Sequence, residues 1–297
     1  MRAVLFLALL IGVAYGDLES CVKSCTQTFL DAIKSFDVQT MCSGFHTYEG
    51  CIKGCPSGAQ SCGEQARSQG GIGDHAVISS RQAVEQFGQL VNHASIDASW
   101  LQVYLALHLI NERVDPNSAW LPYIHVLPKS CPGHPLFYGP SEFEKIKGSK
   151  FYSEGLNLFY EMAAQYAGLY KEIFHQWTQN RQYRNLTPEN FTFEAYRWAL
   201  TVAMSRSLRA TETDGETVTV MVPFCSLCNH GEECLTSRVE LGSEEEEEDP
   251  SHTPGLYAYA RRAIQAGEQL FICYNEKSTP VEYFTVWGLM VEGKKKS

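Results

Sequence analysis

The spacing of apolar residues changes along the chain from a helical period to a period of two, and this change constrains the fold most. Thr192 is a suitable N-cap, and the apolar residues behind it share one helical face: Tyr196, Leu200, Ala203 and Met204. Residues 217–222 then alternate as in a strand, and strand-like runs follow at 256–264 and 269–274. Residues 100–113 are apolar on most sides, which predicts a buried helix that stops at Asp115. A helical block followed by short strands predicts an α+β fold.

The first 75 residues differ in character from the rest. Residues 1–16 combine Arg2, an apolar run and small residues before Asp17, which predicts a cleavable signal peptide. Residues 17–62 contain six of the eleven cysteines, a dense and even set that predicts a small disulfide-rich module. These are Cys21, Cys25, Cys42, Cys51, Cys55 and Cys62. Zinc binding is the rival interpretation, but the spacing and the lack of a paired histidine favour disulfides. Residues 63–75 are expected to be a linker, and residues 76–293 the main domain.

Charge and hydropathy argue against two classes of partner. The net charge is −10, but residues 244–249 supply six of those negative charges, so the rest of the chain is nearly balanced. Such a chain lacks the basic surface that binding to nucleic acid requires. No segment approaches eighteen consecutive apolar residues, so we expect no helix that spans a membrane.

Four segments occur together in the order and spacing of one enzyme family. They are residues 105–128 (LALHLINERVDPNSAWLPYIHVLP), 191–206 (FTFEAYRWALTVAMSR), 222–230 (VPFCSLCNH) and 266–278 (AGEQLFICYNEKS). Their combination resembles the SET-type protein methyltransferases of the Rubisco lysine methyltransferase-like group. The first two segments are most similar to the actin-histidine N-methyltransferase subgroup. The resemblance implies a SET domain, built of short strands with a helical insertion, over about residues 76–290.

This resemblance implies a cofactor and a set of site residues. The cofactor is S-adenosylmethionine and the substrate is a protein, actin-like or other. Asn229 and His230 match the pair that holds the cofactor, and Arg206 matches the residue that meets its carboxylate. Tyr274 matches the catalytic tyrosine beside the channel through which the methyl group passes, and Ser278 belongs to the same closing segment. No metal is implied, and Cys228, inside the third segment, is expected to be a free thiol like Cys225 and Cys234 rather than a zinc ligand.

The chain departs from the family pattern in its substrate pocket and at its ends. Leu208 and Cys225 stand where the actin-histidine subgroup has an asparagine and a tryptophan. The family's first glycine-containing strand has no counterpart before residue 77, and its C-terminal helical domain has none before residue 297. We therefore expect an N-terminally truncated SET domain with impaired cofactor binding, and a lysine target is as compatible with these residues as a histidine target.

Two functions remain open, because the two parts of the chain indicate different compartments. A signal peptide and the glycosylation sequons at Asn185 and Asn190 indicate secretion, whereas a SET domain indicates the cytoplasm or nucleus. The first function is an S-adenosylmethionine-dependent protein N-methyltransferase. The second is a secreted disulfide-rich binding protein whose SET-derived part is a noncatalytic scaffold.

Overall fold

A computed structural model describes residues 77–179, 183–211, 217–223, 225–231, 239–241, 256–258, 268–275 and 277–291. The predicted signal peptide, disulfide-rich module and linker lie outside the described residues, as do the acidic run and Cys234. The structure has a helical part up to residue 206 and a part made of short strands beyond it. This arrangement agrees with the α+β expectation.

Among the described residues up to 206, the structure has six α-helices: α1 Ser80–His93, α2 Leu101–Val114, α3 Leu121–Val126, α4 Pro140–Lys145, α5 Lys150–Gln179 and α6 Phe193–Arg206. Helix α2 is the buried helix expected from the sequence, and it ends at Asp115, which has extended backbone dihedrals. Pro116 follows and disfavours a helical conformation in the residue before it. Helix α6 begins after Thr192, whose hydroxyl accepts a hydrogen bond from the backbone N–H of Ala195 at 3.2 Å, so the predicted N-cap is confirmed.

The 30-residue helix α5 was not predicted from the sequence. Its buried residues recur at intervals of three and four and form one apolar stripe: Phe159, Met162, Tyr166, Tyr170 and Ile173. This stripe packs into the large apolar core that α1, α2 and α6 share. The spacing was therefore a signal that sequence analysis could have used.

The strands form three small sheets. Strand β3 (Thr217–Met221) lies between β1 (Ile78–Ser79) and β2 (Ser207–Thr211), antiparallel to both. Strands β5 (Val239–Leu241) and β6 (Leu256–Ala258) form an antiparallel pair. Strand β4 (Asn229–His230) pairs in parallel with β7 (Phe271–Ile272).

The strand expected at 269–274 is shorter in the structure than in the prediction. Only Phe271–Ile272 pairs, because its partner β4 is itself two residues long and is followed by Gly231. A Cβ atom at Gly231 would lie 2.8 Å from the Phe271 side chain, so glycine permits this close approach. In the run at 256–264, the first three residues form β6 and the remainder lies outside the described residues.

The final helix of the described chain, α7 (Pro280–Trp287), packs against α5 and α6. The Thr279 side chain and Glu282 form a capping box at its start, and Gly288, with φ of 68°, ends it. Within the ranges described, none of the helices has the length and apolar character needed to cross a membrane.

Candidate active site

A cleft opens where the helical part meets the strands. Helix α6 ends at Arg206 and β2 begins at Ser207, so the two residues on either side of this junction face the cleft. The cleft measures about 280 Å³, including the part open to solvent. It is lined by Ser205, Arg206, Ser207, Leu208, Cys225, Ser226, Ile272, Tyr274 and Trp287. The structure thus brings together four residues singled out from the sequence: Arg206, Leu208, Cys225 and Tyr274.

The guanidinium of Arg206 is held by backbone rather than by an acidic side chain. Its Nη1 donates a hydrogen bond to the carbonyl oxygen of Ser226. Among the described residues, no carboxylate lies within ion-pair distance of Arg206. An arginine has five N–H donors, so this one keeps donors for a ligand in the cleft.

The 3₁₀ turn Cys225–Leu227 is anchored to the helical part by Tyr123 of helix α3. The Ser226 hydroxyl donates to the carbonyl oxygen of Pro223 at 3.1 Å, so the Tyr123 hydroxyl is the donor in its 2.7 Å contact with Ser226 Oγ. Burial raises the pKa of Tyr123, while the hydrogen bond to Ser226 and the charge of Arg206 oppose that shift. Tyr123 therefore stays protonated and fixes the turn that carries Cys225.

Tyr274 follows β7 and is oriented by three contacts. Its hydroxyl donates to the carbonyl oxygen of Cys228 at 3.0 Å, and its backbone N–H donates to Nδ1 of His230 at 3.3 Å. Its ring stacks on Trp287 with 5.5 Å between centroids. Burial raises the pKa of Tyr274, although Arg206 opposes this, so the hydroxyl remains protonated at neutral pH.

His230 lies beside the cleft, between two tyrosine rings. Because Nδ1 of His230 accepts from Tyr274, the neutral ring carries its proton on Nε2. Asn229 is exposed, and the backbone N–H of Ser278 donates to the carbonyl oxygen of Asn275 at 3.3 Å in a turn. Asn229, His230 and Ser278 are not among the residues that line the cleft, although the His230 ring contacts Tyr274, which does line it.

Four aromatic rings form a closed cycle along one side of the cleft, and we call them the aromatic quartet. They are His230, Tyr274, Trp287 and Tyr283, in that order around the cycle. Successive ring centroids are 5.2, 5.5, 5.2 and 5.1 Å apart. Sequence analysis missed Tyr283 and Trp287, although their spacing of four residues places them on one helical face.

Three cysteines near the cleft, Cys131, Cys225 and Cys228, carry thiols, and burial raises the pKa of each. Cys273, between the cleft residues Ile272 and Tyr274, is disulfide-bonded. Cys228 further raises the pKa of Cys225, while Arg206 opposes the shift at Cys131. In the part of the chain that the structure covers, no cluster of three or more His, Cys, Asp or Glu residues could hold a metal ion.

Comparisons with curated proteins find actin-histidine N-methyltransferases among the relatives of this chain. The chain is 32% identical over 205 residues to the actin-histidine N-methyltransferase of Rhinolophus ferrumequinum, which covers 68% of this chain and 32% of the relative. It is 31% identical over 205 residues to the Homo sapiens protein of that name, with 68% and 32% covered. The chain therefore spans about a third of the length of the curated relatives it matches. No protein-family model matches the chain.

Solved structures agree with this relationship at the level of the fold. The SET domain of LSMT bound to lysine and AdoHcy superposes with a TM-score of 0.59 at 19% identity, covering 74% of this chain and 47% of that chain. Rubisco LSMT bound to AdoMet superposes with a TM-score of 0.54 at 19% identity, covering 73% and 45%. The chain belongs to the SET-domain methyltransferase family and is related to the actin-histidine N-methyltransferases.

Proposed function

We propose that this chain is an S-adenosylmethionine-dependent protein N-methyltransferase that acts on a lysine or histidine side chain. The observation that carries the proposal is the meeting of Arg206, Tyr274, Leu208 and Cys225 in one cleft. The family resemblance implies that these positions belong to the cofactor site, the methyl-transfer channel and the substrate pocket. The finding that relatives are named for actin-histidine methylation, and that Rubisco LSMT has been solved with AdoMet, supports the same assignment.

The charge of the cleft fits the proposed cofactor. Arg206 presents a planar guanidinium that no described carboxylate neutralises, and the amino-acid end of the cofactor is a carboxylate. The cofactor, when bound, supplies an electrophilic methyl group on a sulfonium. His230, beside the cleft, is assigned a further cofactor contact through the N–H of Nε2. A contact from the exposed Asn229 remains a prediction from the family resemblance alone.

Tyr274 is assigned the role of orienting the target nitrogen. Its proton is engaged with the carbonyl oxygen of Cys228, which leaves lone pairs on the phenol oxygen to accept a hydrogen bond from the substrate. An in-line displacement needs the methyl donor and the attacking nitrogen to be aligned. A fixed hydrogen-bond acceptor such as the Tyr274 hydroxyl therefore acts by positioning that nitrogen. Its raised pKa argues against a role as a general base at neutral pH.

The substrate pocket favours an amine over an imidazole. An imidazole has a second nitrogen that needs a polar partner, and Leu208 offers none. The protonated thiol of Cys225 is a weak donor. A deprotonated lysine amine presents a single nitrogen and needs no second polar partner in the pocket. The proposed target is therefore lysine in preference to histidine.

Binding of the cofactor is expected to be weak. The family's first glycine-containing strand has no recognisable counterpart in this sequence, so contacts on one side of the cofactor are expected to be missing. Calorimetric titration of the full chain with S-adenosylmethionine should give a dissociation constant above about 1 μM, or roughly −8 kcal/mol. A much tighter constant would contradict the expected impairment, and no binding at millimolar cofactor would contradict the proposed function.

The substitutions in the pocket also favour a second candidate, a secreted binding protein with a noncatalytic SET-derived scaffold. Leu208 and Cys225 remove polar and aromatic groups that the actin-histidine subgroup uses. Transcript reads that cross residues 62–80 separate the two candidates. Continuous reads favour secretion and weaken a cytoplasmic or nuclear location, whereas reads that never join these regions remove the secreted candidate.

A further inference from the structure

Trp287 lines the cleft from the last position of helix α7, so the end of that helix determines where the indole lies. Gly288 closes the helix with φ of 68°, and its N–H donates to the carbonyl oxygen of Phe284 at 3.0 Å. The N–H of Leu289 donates to the carbonyl oxygen of Tyr283, also at 3.0 Å. These two hydrogen bonds fix the backbone on both sides of Trp287.

A segment from the helical part presses against this helix end. A Cβ atom at Gly288 would lie 2.7 Å from the carbonyl oxygen of Gly133 and 2.8 Å from the Cα atom of His134. Real Cβ atoms do not approach backbone so closely, so these two stretches of backbone are in direct contact. We call the contact between Gly133–His134 and Gly288 the clasp.

His134 completes the clasp from within the protein. Its side chain is buried, and Nδ1 accepts a hydrogen bond from the backbone N–H of Leu136 at 3.3 Å. Burial lowers the pKa of His134, and hydrogen bonding to the backbone of Val286 and Thr285, in the last turn of α7, opposes this shift. Within 3.5 Å, Nε2 has no hydrogen-bond partner among the described residues, so its contact with α7 is a long one that a small displacement of the helix would change.

We propose that the clasp positions Trp287 as the aromatic wall of the cleft, with Trp287 contacting the ligand and His134 acting as a positioning residue. The part about the ligand rests on the proposed function. Tryptophan has the most favourable ring face for a cation, and the proposed reaction carries positive charge from a sulfonium to a methylated nitrogen. Trp287 also stacks on Tyr274, so displacing the indole would release the tyrosine ring that orients the target nitrogen.

Two glycines allow the clasp to be tested with a matched control. Gly288→Ala places a methyl group against Gly133, whereas Gly148→Ala meets nothing within 4 Å. Both glycines have positive φ, 68° and 80°, so both variants carry a similar backbone cost. His134→Asn tests the side chain, because asparagine retains an acceptor for the N–H of Leu136 but cannot reach α7.

The first measurement needs no cofactor. The emission of Trp287 is isolated by subtracting the spectrum of Trp287→Phe from that of each full-length protein. We expect Gly288→Ala and His134→Asn to shift this emission and to increase its quenching by acrylamide, while Gly148→Ala leaves both unchanged. If neither Gly288→Ala nor His134→Asn alters the Trp287 emission while both proteins stay folded, the clasp does not position the indole.

The second measurement concerns the ligand. Trp287→Leu should lower kcat/KM for methyl transfer on the order of 10²-fold, as expected when a reacting group is misaligned, with Trp287→Phe partly retaining activity. Gly288→Ala should lower kcat more than it raises KM, because alignment rather than binding is lost. If the wild-type chain neither binds the cofactor nor transfers methyl groups, the proposed function fails, and the emission data alone decide the positioning role. Normal kinetics of Trp287→Leu in an active enzyme would overturn the ligand role.

Discussion

Two aromatic clusters in this molecule have nearly the same ring spacing but differ in exposure. The core cluster comprises Tyr166, Phe191, Phe193 and Tyr196, and its measured ring centroids lie 5.4 to 6.2 Å apart. All four of its rings are buried. In the aromatic quartet the separations are 5.1 to 5.5 Å, but His230, Tyr274 and Trp287 are half-buried.

The polar atoms of the two clusters also have different partners. In the core, the Tyr196 hydroxyl donates to Gln165 Oε1 at 2.9 Å, a contact between two buried side chains. In the quartet, the hydroxyls of Tyr274 and Tyr283 donate to backbone carbonyls of Cys228 and Asn275, at 3.0 and 2.6 Å. The core cluster thus joins helices to one another, while the quartet joins a helix to the loops that line the cleft. We infer that the first contributes to stability and the second to the site.

The largest expected difference is in the free energy of unfolding. Phe191→Ala should cost roughly 3 to 5 kcal/mol, because it leaves a cavity among fully buried rings. Trp287→Ala should cost well below that, because solvent can fill the space beside the cleft. Urea unfolding of both variants measures the two losses. Equal losses in the free energy of unfolding would show that the quartet belongs to the core, and the two clusters would then not differ in role.

The next largest expected effect is a pH dependence of the free energy of unfolding. It is caused by His134, which lies against helix α7, the helix that carries Tyr283 and Trp287. Desolvation lowers the pKa of His134 to about 4, so the folded state holds it neutral. Because the unfolded chain binds this proton near pH 6.5, stability should fall as pH decreases from about 6.5 to about 4, by roughly 3 kcal/mol in all. Denaturant midpoints at pH 7, 5.5 and 4.5 measure the slope. His134→Asn should flatten that slope, and an equal slope in the variant would show that other groups cause it.

Two substitutions in the cleft should separate binding from turnover. Arg206→Ala should weaken S-adenosylmethionine binding by about 1.5 to 3 kcal/mol, because a hydrogen bond to a charged group is lost. Tyr274→Phe should reduce kcat more than it weakens cofactor binding, since its hydroxyl acts on the target nitrogen. Calorimetry and single-turnover kinetics measure the two effects. The opposite pattern would reverse the assigned roles.

The smallest expected effect concerns the choice of substrate. The full chain should show little methylation of an actin-derived histidine peptide. Leu208→Asn together with Cys225→Trp should raise that rate about tenfold, roughly 1.4 kcal/mol, because a polar partner and an aromatic face are restored. Cys225→Trp alone is the control, since Cys225 is buried and the larger ring must be accommodated. Efficient histidine methylation by the unaltered chain would contradict the preference for lysine.

Sequence analysis correctly predicted the elements that depend mainly on residues close to them in the sequence. The N-cap at Thr192, the helix stop at Asp115 and the strand β3 each depend on nearby residues, and each appears in the structure. The burial of β3 does not alternate, because its last four residues are all buried. The strand at Phe271–Ile272 was predicted too long, because its length is set by its partner β4. Periodicity along one segment contains no information about the length of a strand that pairs with it.

The sequence by itself determined that a helical block precedes short strands, and it predicted that Leu208 and Cys225 depart from the family's substrate pocket. These conclusions depend on residue type and spacing along the chain. Only the tertiary structure decided that Trp287 joins Tyr274 at the cleft, that Asn229 and Ser278 lie away from its lining, and that Gly133 and His134 lie against the end of α7 at Gly288. The physical reason is that these contacts connect residues from 13 to more than 150 positions apart, and their geometry follows from the packing of α7 against α5 and α6 rather than from any local preference.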